Sequence, residues 1–174
     1  TMKRFWMGAV LALAILSGDS ALAGDVRITG MTGNDAFVAG KQGIQRIKQG
    51  TPCEAGDMLV TRAGTQIEIV VNGRAGCRVL PGTTLAVGRT DANRSMLLVA
   101  EGNVVLNVKK LDAGSEFLVD TPTAVAAVRG TQFWGRVAGG EGETVSTFAV
   151  REGAVQVTQK ATGQVIDLKP GQAL

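Results

Sequence analysis

The segment FLVDTPTAVAAVRGTQF, residues 117–133, decides the fold class of this chain. Phe117 and Val119 alternate with other side chains before Thr121-Pro122, and a run rich in alanine and valine then extends to Arg129-Gly130. Such alternation is typical of strands with one buried face, and glycine and proline are common turn residues. The segment therefore predicts two successive strands.

The same pattern of short, β-branched runs and turn residues extends to both sides of this segment. Ile67, Ile69 and Val71 share one face of a strand, and the following Asn72-Gly73 is the strongest hairpin signal in the chain. Glycine supplies 24 of the 174 residues, roughly twice its average usage. We therefore predict an all-β chain, with no helix beyond the N-terminal segment.

Two internal similarities indicate how the strands are arranged. Residues 99–104 (VAEGNV) resemble residues 150–155 (VREGAV), and residues 81–85 (PGTTL) resemble residues 170–174 (PGQAL). A strand–Glu-Gly–strand unit used twice favours stacked corners, as in a short, irregular β-solenoid or β-roll. A β-sandwich with recurrent glycine corners is the alternative, because it would produce the same pattern.

The N-terminal residues are typical of a secretory signal peptide. Lys3-Arg4 precedes an apolar run over residues 5–16, and Ala21-Leu22-Ala23 supplies the small residues of a cleavage site. As a helix this run is about 18 Å long, too short for a hydrocarbon core of roughly 30 Å. We predict a signal helix in residues 1–23, cleavage near Ala23, and one exported domain in residues 24–174 without a membrane span.

Cys53 and Cys77 are the only cysteines in the chain. Export would bring them into an oxidising compartment, and the sequence between them is typical of a hairpin-like return that would bring the two cysteines together. A disulfide between Cys53 and Cys77 is therefore favoured, and it could stabilise the fold by roughly 3 kcal/mol through loop-closure entropy. The alternative is two buried thiols that act as small hydrophobic side chains.

The composition argues against an enzyme and against bound cofactors. The chain contains no histidine, which excludes histidine-based acid–base catalysis and histidine-containing metal sites. Aspartate and glutamate are scattered without a spacing that selects a catalytic pair, and no phosphate-binding Gly-Lys loop occurs. The net charge of +3 comes without a basic block, so no nucleic-acid partner is expected.

Residues 117–133 resemble the signature of the FecR domain, in which a strand is followed by Thr-Pro, an Ala/Val-rich segment and Val-Arg-Gly-Thr-x-Phe. The order of Asn72-Gly73, Glu152-Gly153 and Pro170-Gly171-Gln172 is also similar, so the resemblance covers nearly all of the chain after residue 23. The residues that match the signature are Thr121, Pro122, Arg129, Gly130, Thr131 and Phe133.

The resemblance implies a periplasmic all-β domain with solenoid-like character. The best-known members of the family receive a signal from a TonB-dependent outer-membrane transporter, and a membrane helix and cytoplasmic anti-sigma domain pass it to an extracytoplasmic-function sigma factor. Because few residues precede the signal peptide, we expect a stand-alone exported form that needs another membrane protein to complete the relay.

The resemblance thus implies a binding and signalling module of the bacterial cell envelope. Its expected partner is an envelope protein, such as a membrane regulator or a TonB-dependent transporter system. A structural or glycan-binding scaffold of the envelope is the alternative.

Arg129 is expected to have a structural role first. Its aliphatic stem could lie along the sheet while its guanidinium binds carbonyls or a carboxylate of Glu116, Asp120 or Glu152. In the alternative, Arg129 projects into solvent and anchors a partner.

Trp134 is the candidate partner contact. Because Phe133 and Trp134 are adjacent, their side chains lie on opposite faces of a strand, and one of them is expected in the core. If Trp134 faces outward, it could contact a partner, since aromatic residues are enriched at such sites. The alternative is that it covers a hydrophobic flank of its own domain.

Overall fold

A computed structural model of the protein describes residues 26–140 and 143–174. The predicted signal peptide, residues 1–23, lies outside these described residues. Within the described part of the chain, no helix has the length and hydropathy needed to cross a membrane.

The described residues form thirteen strands, as the alternating sequence pattern predicts. Their bounds are β1 Val26–Thr32, β2 Ala36–Gly40, β3 Gly43–Arg46, β4 Pro52–Cys53, β5 Met58–Thr61, β6 Gln66–Val71, β7 Ala75–Val79, β8 Thr83–Val87, β9 Arg94–Val108, β10 Glu116–Asp120, β11 Ala124–Gly140, β12 Glu143–Gln159 and β13 Val165–Leu168.

These strands belong to one open, mixed sheet. The main path runs β13-β12-β11-β10-β9-β7-β6-β1-β4, and a branch leaves β9 through β8, β5, β2 and β3. Strand β10 runs parallel to β9, whereas the other pairings of the described strands are antiparallel. The prediction of an all-β fold is confirmed.

Three long strands change partners part-way along their length, each near a glycine. Strand β9 pairs with β8 and β10 before Gly102, and with β7 and β11 from Gly102 onward. Strands β11 and β12 have register irregularities between Arg129 and Phe133. Gly102, Gly130 and Gly153 have φ values of 96°, 59° and 84°, which favour glycine over residues with a Cβ. These glycines are the corners of the fold.

The core is built from the inward positions of the strands. In β7 the burial alternates strictly, so that Ala75, Cys77 and Val79 are buried while the two residues between them are exposed. Phe133 and Phe148 are the largest fully buried side chains among those described. Full burial of an aliphatic or phenyl side chain stabilises the fold by about 1.5–3 kcal/mol, so this alternation fixes which face of each strand is inward.

The predicted disulfide is not formed, because Cys53 and Cys77 are both free and buried. Cys53 pairs with Val26 on β1, whereas Cys77 pairs with Ile69 on β6. Strands β1 and β6 therefore lie between the two cysteine-bearing strands, β4 and β7. Three strand spacings amount to about 14 Å along the sheet, while disulfide-linked Cα atoms lie within about 7 Å. The alternative of two buried thiols describes the structure.

Candidate functional site

The Arg-Gly-Thr part of the signature forms the corner between the two halves of β11. Thr131 is only 1% exposed, and its hydroxyl is 2.8 Å from the carbonyl oxygen of Ala154 and 3.0 Å from that of Arg129. A Cβ atom on Gly153 would lie 2.4 Å from the carbonyl oxygen of Gly130. Gly130, Thr131 and Gly153 are therefore a backbone lock between β11 and β12.

The same lock occurs at two other places in the fold. A Cβ atom on Gly33 would lie 2.4 Å from Thr65 Oγ1, and one on Gly102 would lie 2.4 Å from Thr83 Oγ1. Thr65 and Thr83 are both buried, and each follows a glycine with positive φ. A glycine packed on a Gly-Thr pair is thus a repeated structural element of this domain.

Sequence reasoning missed Thr65 and Thr83 as structural residues. The Asp35 N–H donates to Thr65 Oγ1 at 3.0 Å, and the Asn103 N–H donates to Thr83 Oγ1 at 2.9 Å. The tripeptide Gly-Thr-Gln, which occurs once before Ile67 and again before Phe133, is the signal that could have revealed the repeat.

The Thr-Pro part of the signature closes the turn between β10 and β11. The Thr121 N–H donates to the Ala124 carbonyl at 2.9 Å, and the Ala124 N–H donates to Thr121 Oγ1 at 3.1 Å. The Ser146 hydroxyl donates to Thr121 Oγ1 at 2.8 Å and so ties this turn to β12. Pro122 is exposed at the tip. This pair of residues is therefore also structural.

The expected structural role of Arg129, in which its guanidinium binds carbonyls or a carboxylate, is not found in the structure. Its side chain is exposed, and it has no ion pair or hydrogen bond with any residue that the structure describes. The carboxylates of Glu116 and Asp120 pair instead with Arg94 and Lys160. Arg129 is the signature residue that the fold does not use internally.

A groove of about 580 Å³ opens on the outward face of β6, β7, β9, β11 and β12. Gly76 leaves part of this face open, because nothing lies within 4 Å of the Cβ position it lacks. One row of cross-strand neighbours runs through the groove and consists of Glu68, Arg78, Val105, Trp134 and Ala149.

Trp134 lies in this row between Val105 and Ala149 and faces outward. Phe133, the preceding residue, is 2% exposed and belongs to the core, as the opposite-face argument predicts. Trp134 itself is half-buried between Val105 and Ala149, and Val105 is 40% exposed. The structure thus brings the candidate partner contact into a groove, and its role there stays a prediction.

The groove is more positive than negative. Glu68 is the only carboxylate among its lining residues, and two nitrogens of Arg78 donate to its Oε1 at 3.1 and 2.9 Å. Arg151 also lines the groove, and Arg136 follows Trp134 by two residues on β11. Arg136 and Arg151 are exposed, and neither forms an ion pair with another described residue.

The two cysteine thiols are buried and are not activated as nucleophiles. Burial, helped by the nearby charge of Asp57, raises the pKa of the Cys53 thiol to about 11, and burial raises the pKa of Cys77 to about 12. Both thiols are therefore protonated at neutral pH and are not nucleophilic. No group of three or more Cys, Asp and Glu residues able to hold a metal ion occurs within the described ranges.

Comparisons with known proteins identify related sequences and folds. The sequence model described as "FecR protein" matches residues 57–156, more than half of the chain. Two crystal structures of a candidate anti-sigma factor from Parabacteroides distasonis are similar, with TM-scores of 0.56 and 0.55 and 20% identity in both cases. Each similarity covers 67% of this chain and 57% of that chain. No curated protein sequence matches.

Proposed function

This chain belongs to the FecR protein family, and from that membership we propose that it is an exported, non-catalytic signalling module. In this proposal the domain acts in the bacterial cell envelope and binds a protein partner in the groove that carries Trp134. A membrane regulator or a TonB-dependent transporter system is the partner class that the family suggests.

The position of Trp134 is the observation that carries this proposal. The outward-facing Trp134 and the exposed Val105 beside it leave apolar surface in contact with water. Binding of a partner would remove this apolar surface from water. Tryptophan and arginine are the residues most enriched at the energetic centres of protein interfaces, and both occur in this groove. Apart from Arg129, the signature residues are used for a corner, a turn and the core, so the binding function falls to the sheet face that they position.

The small number of candidate catalytic groups supports a binding role rather than an enzymatic one. The chain has no histidine, and both buried thiols have raised pKa values. The groove contains one carboxylate, Glu68, whereas hydrolysis of a glycosidic bond commonly requires two.

Genetic complementation tests this function. A strain that lacks the gene receives the full chain as wild type, as Trp134→Ala, or as Val165→Ala. Val165 is a matched control because it is 54% exposed and lies on β13, outside the groove. The measurements are the amount of exported protein and the transcripts of genes under extracytoplasmic-function sigma factors.

Trp134→Ala should abolish the transcriptional response while the exported protein remains at the wild-type amount. Val165→Ala should retain the response. A photo-crosslinking amino acid placed at Val105 should give a discrete adduct with one envelope protein in living cells. A full response from Trp134→Ala would contradict the proposed function.

A further inference from the structure

We propose that the groove binds an extended, acidic segment of the partner protein, in which two carboxylates flank an apolar residue. The apolar residue would pack on Trp134, and the carboxylates would pair with Arg136 and Arg151. This inference rests on the proposed function and specifies the chemistry of the partner at the same site.

The charge of the sheet face favours an acidic partner. Glu68 is already neutralised by Arg78 through two short hydrogen bonds, whereas Arg136 and Arg151 have no carboxylate partner among the described residues. A carboxylate can accept two parallel hydrogen bonds from a guanidinium, which makes arginine well suited to recognise acidic groups. A basic segment would be repelled by the same two side chains.

The spacing of the arginines favours an extended segment that runs along the strands. Arg136 is two residues from Trp134 on β11, and Arg151 is two residues beyond Ala149, the cross-strand partner of Trp134 on antiparallel β12. The two arginines therefore lie on opposite sides of Trp134 along the strand direction, each about 7 Å away. An extended peptide places every second side chain on one face with the same repeat of about 7 Å. The matching pattern is acidic–x–apolar–x–acidic.

The apolar centre of the groove provides room for the middle residue. Trp134 is bordered by Val105 on β9 and Ala149 on β12, and Gly76 on β7, which pairs with Asn107, leaves another part of the same groove open. An aliphatic side chain placed there would be removed from water on an aromatic face, and the surrounding arginines would confine it. This combination of an apolar anchor and flanking charges fits a peptide better than a uniformly polar polymer.

Fluorescence anisotropy with labelled peptides tests the inference on the full chain. The probe contains Glu-Ser-Leu-Ser-Glu, and matched peptides contain Lys-Ser-Leu-Ser-Lys or Glu-Ser-Ser-Ser-Glu. The acidic peptide with leucine should bind at least tenfold more tightly than either control, and its affinity should fall as salt is raised.

Variants of the groove and of the neighbouring Arg136 should then weaken binding of the acidic peptide. Trp134→Ala should weaken it about 30-fold, as expected for an interface hot spot. Arg136→Gln and Arg151→Gln should each weaken it up to about fivefold, the effect of one exposed ion pair. Arg89→Gln is the charge-matched control, since Arg89 is exposed, pairs with Asp91 and lies outside the groove, and it should have no effect. Thermal melts of every variant check that each one is folded.

Three results would overturn the inference. These are equal binding of the lysine peptide, unchanged binding by folded Trp134→Ala, and tighter binding of polygalacturonate with the same dependence on Trp134. The last result would identify an anionic glycan as the ligand. If peptide binding fails while Trp134→Ala still abolishes signalling in cells, the acidic chemistry is excluded and the proposed function stands. If the peptide binds as expected but Trp134→Ala cells respond normally, the proposed function fails.

Discussion

Gly153→Ala should destabilise the fold far more than Gly163→Ala, although both glycines have positive φ values of 84° and 70°. An alanine in this left-handed conformation costs about 1–2 kcal/mol in either place. At Gly153 the new Cβ would also lie 2.4 Å from the Gly130 carbonyl oxygen and 3.0 Å from the Thr131 Cα. At Gly163 nothing lies within 4 Å. Overpacking adds about 1–3 kcal/mol, which gives about 2–5 kcal/mol in total for Gly153→Ala.

Urea denaturation followed by the circular dichroism of the strands measures this difference. With a slope of about 2 kcal/mol per molar urea, a difference of about 2 kcal/mol separates the two midpoints by about 1 M. Gly102→Ala should behave as Gly153→Ala does, because its Cβ would meet Thr83 Oγ1 at 2.4 Å. Equal midpoints for Gly153→Ala and Gly163→Ala would refute the close approach at the corner.

Five further predictions follow, four from the described residues and one from the N-terminal sequence. Arg129→Ala should change the free energy of unfolding by no more than about 0.5 kcal/mol, since Arg129 is exposed, and a loss above 2 kcal/mol in thermal melts would contradict this. Native protein at pH 8 should not react with iodoacetamide at Cys53 or Cys77, as mass spectrometry can show. The free energy of unfolding should also fall between about pH 9 and pH 11, because unfolded thiols ionise before the buried ones. Thr121→Val should cost about 1–3 kcal/mol by leaving the buried N–H of the turn unpaired, which chemical denaturation would detect. Protein recovered from the cell envelope should begin at Gly24, and an intact N-terminus in its mass spectrum would refute cleavage.

Local alternation predicted the strands well, because burial in a sheet follows a two-residue period. The same alternation indicates that Arg129 is exposed. Val128 is buried, so the next residue on β11 must face outward. The apolar character of the neighbouring residues suggested burial instead, although those neighbours fill both faces of the strand. The similarity of residues 99–104 and 150–155 correctly located two glycine corners.

Pairings between distant strands could not be predicted in this way. The disulfide expectation treated the segment from Cys53 to Cys77 as a hairpin-like return, but β1 lies between β4 and β6. Nothing local in the sequence indicates that insertion. The groove could not be predicted for the same reason. Trp134 lies beside Val105 and Ala149 only because β9, β11 and β12 pair in one particular register.

The position of β1 between β4 and β6 also has a consequence for folding, because β1 is expected to join the sheet late. Val26 on β1 pairs with Val71 on β6, far along the chain, whereas β6 with β7 and β11 with β12 are neighbours in sequence. Sequence-local hairpins form quickly, and pairings that close long loops form late. While β1 is absent, β6 has an open edge, and an open edge can pair with another molecule. Newly made chains are therefore most prone to aggregate or exchange strands in the interval before β1 docks.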